Sequence, residues 1–164
     1  MNRGATVTQR AAEEAPGVST VLTERSWCVM VPHDARGARG ARHRLADELT
    51  GIVPATLLAD VEMVAAELLG NAVRHAEPLP GRLIRLTWSV RPGPPDDEVV
   101  IRVTDGGATA PPQLRRVGPD AVDGRGLFLV AALAARWGVE RDGLGQSVWA
   151  RLAHPADREL APVG

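Results

Sequence analysis

Residues 57–77, LLADVEMVAAELLGNAVRHAE, decide how this chain is read. The run is apolar enough for a core helix, yet Glu67, Asn71 and His75 recur in it at intervals of four. On a helix turning ~100° per residue, these three form one polar stripe. With Glu67 set at zero, Val64, Leu57, Leu68, Val61, Ala72, Ala65, Leu58 and Leu69 fill an arc from ~60° to ~200°. The stripe falls at ~0°, ~40° and ~80°, on the edge of that arc and slightly inside it. Polar groups at such an edge are half buried and need partners, which a ligand can supply.

Working outward, Ser26 to Val31 reads as a strand stopped by Pro32. Asp34 is placed to cap a helix running to about Leu49. That helix carries Arg36, Arg39, Arg42, His43 and Arg44. Arg36, Arg39 and His43 share one face, which suits an acidic partner or a second protomer, or is simply solvated. Gly51 and Pro54 mark a turn, and the striped helix spans about Ala55 to Ala76, ending before Pro78. Arg82–Val90 and Asp97–Thr104 read as strands around the hairpin-type loop RPGPPDD. Gly106 to Asp123 is a long loop, a length that usually signals function or disorder. A short helix from Leu127 to about Arg136 follows, then strands Trp137–Arg141 and Gln146–Leu152 joined by DGLG. The order β α α β β α β β predicts an α+β two-layer sandwich: a mixed, mostly antiparallel sheet with helices on one face. Residues 1–22 are expected to be a disordered or loosely docked tail, 23–153 the domain, and 154–164 a frayed end.

Composition narrows the chemistry. All 19 basic residues are arginine, so no Schiff-base, P-loop or kinase-type strand lysine exists. A net charge of −1 and few aromatics give no reason to expect nucleic-acid binding. One cysteine, Cys28, excludes an intrachain disulfide and a multi-cysteine zinc site. Its apolar surroundings, SWCVMV, predict a buried, inert thiol. No segment is long and apolar enough to span a bilayer, and the first residues lack the apolar stretch of a signal peptide. A cytoplasmic protein without membrane contact is the expectation.

Three segments carry candidate chemistry. Asn71, one turn from Glu67, offers a side-chain oxygen to Mg²⁺, which needs few protein ligands when phosphates supply the rest. Glu67 is then placed to orient or deprotonate a hydroxyl or water. Thr104-Asp105-Gly106-Gly107 follows a strand; the carboxylate can accept from an exocyclic amine such as that of adenine, and the glycines admit close approach. Asp123-Gly124-Arg125-Gly126-Leu127 sits at a loop-to-helix junction, where free amides and the helix dipole favour anions. It is neither a P-loop nor a dinucleotide fingerprint, since no Gly-Lys-Ser/Thr and no βαβ unit surround it.

Taken together, ELLGNAVRHA, VTDGG and GRGLFLVAALAARWGVE resemble the histidine-kinase-like (GHKL) ATPases, the superfamily of gyrase, histidine kinases and mismatch-repair ATPases. The likeness is strongest to the small anti-sigma-factor serine/threonine kinases and covers roughly residues 25 to 152. It implies a Bergerat-type ATP-binding fold with ATP and Mg²⁺ as cofactors. Asn71 would coordinate the metal, and Glu67 would be the general base acting on a partner serine. Asp105 would bind the adenine amine, with Gly107 allowing close approach. Residues Ala108 to Asp123 would form a lid, and Gly124, Arg125, Gly126 and Leu127 would meet the phosphates. His75 would line the pocket, and Ser147 would take the place of a family threonine beside the adenine.

The resemblance further implies a sigma factor, an anti-sigma antagonist, or both as partners, and homodimerisation. The implied function is an anti-sigma factor with kinase activity towards its antagonist. The alternative is a module that holds nucleotide without turning it over and sequesters a regulatory partner.

Overall fold

The computed structural model describes residues 24–93, 97–108 and 125–153, with backbone alone for Thr6–Val7 and Arg125. Its elements are β1 (Thr6–Val7), β2 (Arg25–Pro32), α1 (Ala35–Leu49), α2 (Ala55–His75), β3 (Leu83–Arg91), β4 (Glu98–Asp105), α3 (Arg125–Leu133), β5 (Arg136–Asp142) and β6 (Gly145–Ala153). Among the described residues, the strands form one sheet in the order β1-β2-β3-β4-β6-β5, and each pairing is antiparallel. The α+β sandwich predicted from the element order is the fold found. Strand β1 is an addition: its two residues pair with Ser26 and Arg25, inside the segment expected to be a tail. The remainder of that tail, the lid beyond Ala108 and the C-terminal end lie outside the described residues.

Local chemistry explains the helices. Asp34 caps α1, its Oδ1 accepting the Gly37 N–H at 2.7 Å. The α2 residues that are buried, Leu57, Val61, Val64, Ala65, Leu68, Leu69 and Ala72, all belong to the arc read from the sequence, and Leu58 at its margin is half-buried. Helix α3 starts two residues before the expected Leu127 and ends at Leu133 rather than near Arg136. The Ala135 N–H bonds the Arg151 carbonyl at 2.9 Å, so the chain leaves the helix and joins the sheet there.

Strand alternation fills the other half of the core. Ile84, Leu86, Trp88 and Val90 on β3 are buried, with Val99, Ile101 and Val103 on β4 and Val148, Ala150 and Leu152 on β6. They form one cluster with Leu45 and Leu49 of α1 and the α2 arc. Each fully buried leucine or isoleucine in it contributes roughly 1.5–3 kcal/mol by leaving water.

The same alternation corrects the reading of Cys28. Trp27, Val29 and Val31 turn towards the core, so Cys28 and Met30 turn away, and the thiol is exposed rather than buried. An apolar neighbourhood in sequence says little about burial when the period is two.

Candidate functional site

The middle of α2 meets the first turn of α3. Glu67 and Asn71 are half-buried there, as their place at the edge of the apolar arc requires. A Cβ built on Gly126 would run into Glu67 Oε2 and lie 3.7 Å from Asn71 Nδ2. Only a glycine lets the α3 backbone come this close to the carboxylate. The fold therefore joins two of the sequence segments, the stripe and the Gly-Arg-Gly start of α3. Leu127 is buried, at 8% exposure. Gly124 and the Arg125 side chain lie outside the described residues.

The third segment lies at the end of α2. Asp105 closes β4 and is buried, at 3% exposure. Its Oδ1 accepts the Gly107 N–H at 2.7 Å. Gly107 holds φ 93°, a conformation that glycine adopts without the Cβ penalty. Two backbone bonds stitch this turn to the chain leaving α2: Gly106 N–H to the Glu77 carbonyl at 2.7 Å, and Glu77 N–H to the Gly107 carbonyl at 2.9 Å. His33, just after β2, donates from Nε2 to the Ala72 carbonyl at 2.9 Å and so also fastens this end of α2.

Burial pushes the Asp105 carboxyl above the ordinary carboxylate value; the Gly107 N–H, His33 and Arg141 pull it back in part. A buried carboxylate at a strand end, with one oxygen committed to backbone, is an acceptor that an amine-bearing ligand would satisfy.

Register sets Ser147, one of the expected site residues, apart from Asp105. Asp105 pairs with Gln146, and Thr104 pairs with Ser147. Because neighbouring residues on a strand face opposite ways, Ser147 lies on the face away from Asp105. Its hydroxyl is 2.8 Å from that of Thr104, and Arg85 donates to the Thr104 hydroxyl at 3.3 Å. The residue beside Asp105 on the helix side is Gln146, buried and holding an Arg141 hydrogen bond at 3.0 Å. Parity counted back from the apolar positions Val148, Ala150 and Leu152 is the sequence signal that marks Gln146. Parity counted forward from Trp137 and Val139 marks Arg141 in the same way, whereas no comparable signal marks His33.

His75 is exposed at the last turn of α2. Asn71 keeps its place, but its Oδ1 accepts from Arg74 Nη2 at 3.3 Å. Arg74 itself helps line a groove of about 460 Å³ between α1 and α2. Ala35, Ala38, Ala66, Leu69, Gly70 and Val73 form its small apolar walls, with Arg39, Arg42 and Arg74 around them. Among the described residues, none of these three arginines has a salt bridge.

The profile of the histidine kinase-like ATPase domain family matches residues 31–152, most of the chain. The chain belongs to this family. Twelve chains of known structure are similar to it in fold. One is the crystal structure of the RsbU and RsbW domains of Rv1364c from Mycobacterium tuberculosis, at 17% identity and a TM-score of 0.54. That match covers 79% of this chain and 33% of the other, so this histidine kinase-like domain spans about a third of the length of that relative. No curated protein sequence matches the chain. No helix among the described residues is long and apolar enough to cross a membrane.

Proposed function

We propose that this domain binds Mg-ATP and transfers its terminal phosphoryl group to a serine or threonine of an anti-sigma antagonist, while also holding a sigma factor. The observation that carries this reading is the approach of Gly126 to Glu67 and Asn71, with Asp105 fixed at the far end of the same helix. The donor set suits the ligand. Asn71 offers an oxygen of the kind Mg²⁺ takes, and few protein oxygens are needed beside those of phosphate. Free amides of the α3 N-terminus favour phosphate. The Asp105 carboxylate suits the adenine amine.

Bound Mg-ATP would supply the phosphoryl group and neutralise charge developing on it. Within that frame, Glu67 takes the proton from the partner's hydroxyl oxygen, so that this oxygen can act as nucleophile. Asn71 would hold the Mg²⁺ at the phosphate end through its Oδ1, and Asp105 would hold the base end.

The partner class comes from the likeness to anti-sigma-factor kinases. The α1–α2 groove supports it physically, because three arginines that form no salt bridge among the described residues surround a floor of small apolar side chains. A segment with carboxylates flanking small residues would be complementary.

A second reading has its own observation. The Arg74 bond occupies Asn71 Oδ1, the oxygen a metal would need. If that bond persists, the domain holds nucleotide weakly or without transfer and acts by sequestering its partner. Calorimetry with Mg-ATP, followed by incubation with candidate antagonists and mass spectrometry for phosphoserine or phosphothreonine, separates the two. Binding with transfer supports the kinase; binding without transfer supports the sequestering module. Absence of Mg-ATP binding, with the melting temperature of Asn71→Ala responding to ATP as wild type does, removes both.

A further inference from the structure

Arg141 on the edge strand β5 makes two hydrogen bonds that converge on the Asp105 end of the site. Its Nε donates to Gln146 Oε1 at 3.0 Å, and its Nη2 donates to the Ala108 carbonyl at 2.9 Å. A guanidinium has donors only. The Gln146 atom facing it must therefore be the carbonyl oxygen, which fixes the carboxamide against a flip. The amide NH₂, a donor, becomes the end turned away from Arg141. Gln146 is buried beside Asp105 by register and on the same face.

Two neighbouring side chains thus have defined and opposite hydrogen-bonding character. Ionised Asp105 only accepts, and the outer end of Gln146 only donates. The pairing edge of adenine has an amine donor beside a ring-nitrogen acceptor. Guanine has the reverse, a carbonyl acceptor beside an N–H donor. An acceptor–donor pair matches the first and opposes the second.

We propose that Gln146 is a base-specificity residue, donating to the adenine ring nitrogen while Asp105 accepts from the amine, and that Arg141 positions it. The proposal rests on the reading of Asp105 as the base acceptor and deepens it. Arg141 touches no ligand in this scheme. Its role is to hold one carboxamide orientation and to tie that orientation to the backbone just after Gly107.

The test is the ratio of ATP to GTP affinity in the full chain, measured by calorimetry with both Mg-nucleotides. Wild type should prefer ATP. Gln146→Glu places an acceptor opposite an acceptor, and should lower ATP affinity at least ~10-fold and narrow the ratio. Arg141→Met frees the carboxamide to rotate and should narrow the ratio by about 10-fold. Arg141→Lys keeps a donor and should restore part of it. Arg141 is exposed, so its variants report even if a Gln146 variant fails to fold. An unchanged ratio in Arg141→Met, with ATP still bound, overturns the proposal and leaves the site reading standing. Loss of all nucleotide binding in wild type overturns both.

Discussion

The Cα of Gly126 rests against the carboxylate of Glu67, so the start of α3 and the middle of α2 share one small space. The contact falls on the far end of a flexible side chain, which can move aside at low cost. Gly126→Ala should therefore change folding stability by no more than about 1 kcal/mol, because the helix propensity of alanine offsets the displacement. Phosphoryl transfer to a partner should fall much further, since Glu67 is the group displaced. Urea unfolding beside a transfer assay checks both halves.

Glu67→Gln keeps shape and burial while removing the proposed base. Nucleotide affinity should stay within a few-fold of wild type, and transfer should drop by ~100- to 10,000-fold. Single-turnover transfer measured at saturating nucleotide is the deciding number. Equal rates in the two proteins would remove Glu67 from the mechanism.

Asp105→Asn should separate stability from binding. Burial raises the folded pKa of this carboxyl above its ordinary 3.8, so the folded state holds the proton more tightly than the unfolded chain. Stability from this group is fully present below the ordinary value and is lost as pH rises through the raised one. At neutral pH the ionised form is a cost that asparagine lacks. The nucleotide-free variant should melt at or above the wild-type temperature at about pH 7, with the difference shrinking towards about pH 4. Its ATP affinity should fall at least ~10-fold, because the amide presents one acceptor already bonded to Gly107 and one donor facing the adenine amine. Melts across that pH range and calorimetry with ATP make the comparison.

Charge reversal at Arg39→Glu with Arg42→Glu tests the α1–α2 groove. Both side chains lie away from Glu67 and Asp105, so nucleotide affinity should be unchanged. Affinity for an acidic partner should fall at least ~10-fold, more steeply at low salt than at high salt. Titration of a candidate antagonist or sigma factor at two ionic strengths gives the result.

The α2 arc shows why so much of this fold is legible in the chain. A helix of this length buries whichever residues share its apolar sector, and the seven buried positions are all members of the sector counted from Glu67. Strands are less forgiving. One residue of offset moves a side chain through the sheet, and that step separates Ser147 from Gln146 and turns Cys28 outward. Contacts that depend on register across distant strands leave little local trace. Arg141 reaches Ala108 over 33 positions, and His33 reaches Ala72 over 39. The stripe and the Asp-Gly-Gly turn are visible because each is contiguous; their partners on other strands are not.

The two bonds between Glu77 and the Asp-Gly-Gly turn make α2 a ruler. From Glu67 to His75 the helix rises about 12 Å, and on the proposed reading this span, not a loop, sets the distance between the phosphate and base ends. A helix resists stretching, so the site offers one ligand length. A nucleotide cut back to its monophosphate would reach the Asp105 end and fall short of Glu67. Inserting one residue between Asn71 and His75 would change the spacing by ~1.5 Å and turn the two ends out of line by ~100°. On that reading, the helix that builds the core would also measure the ligand.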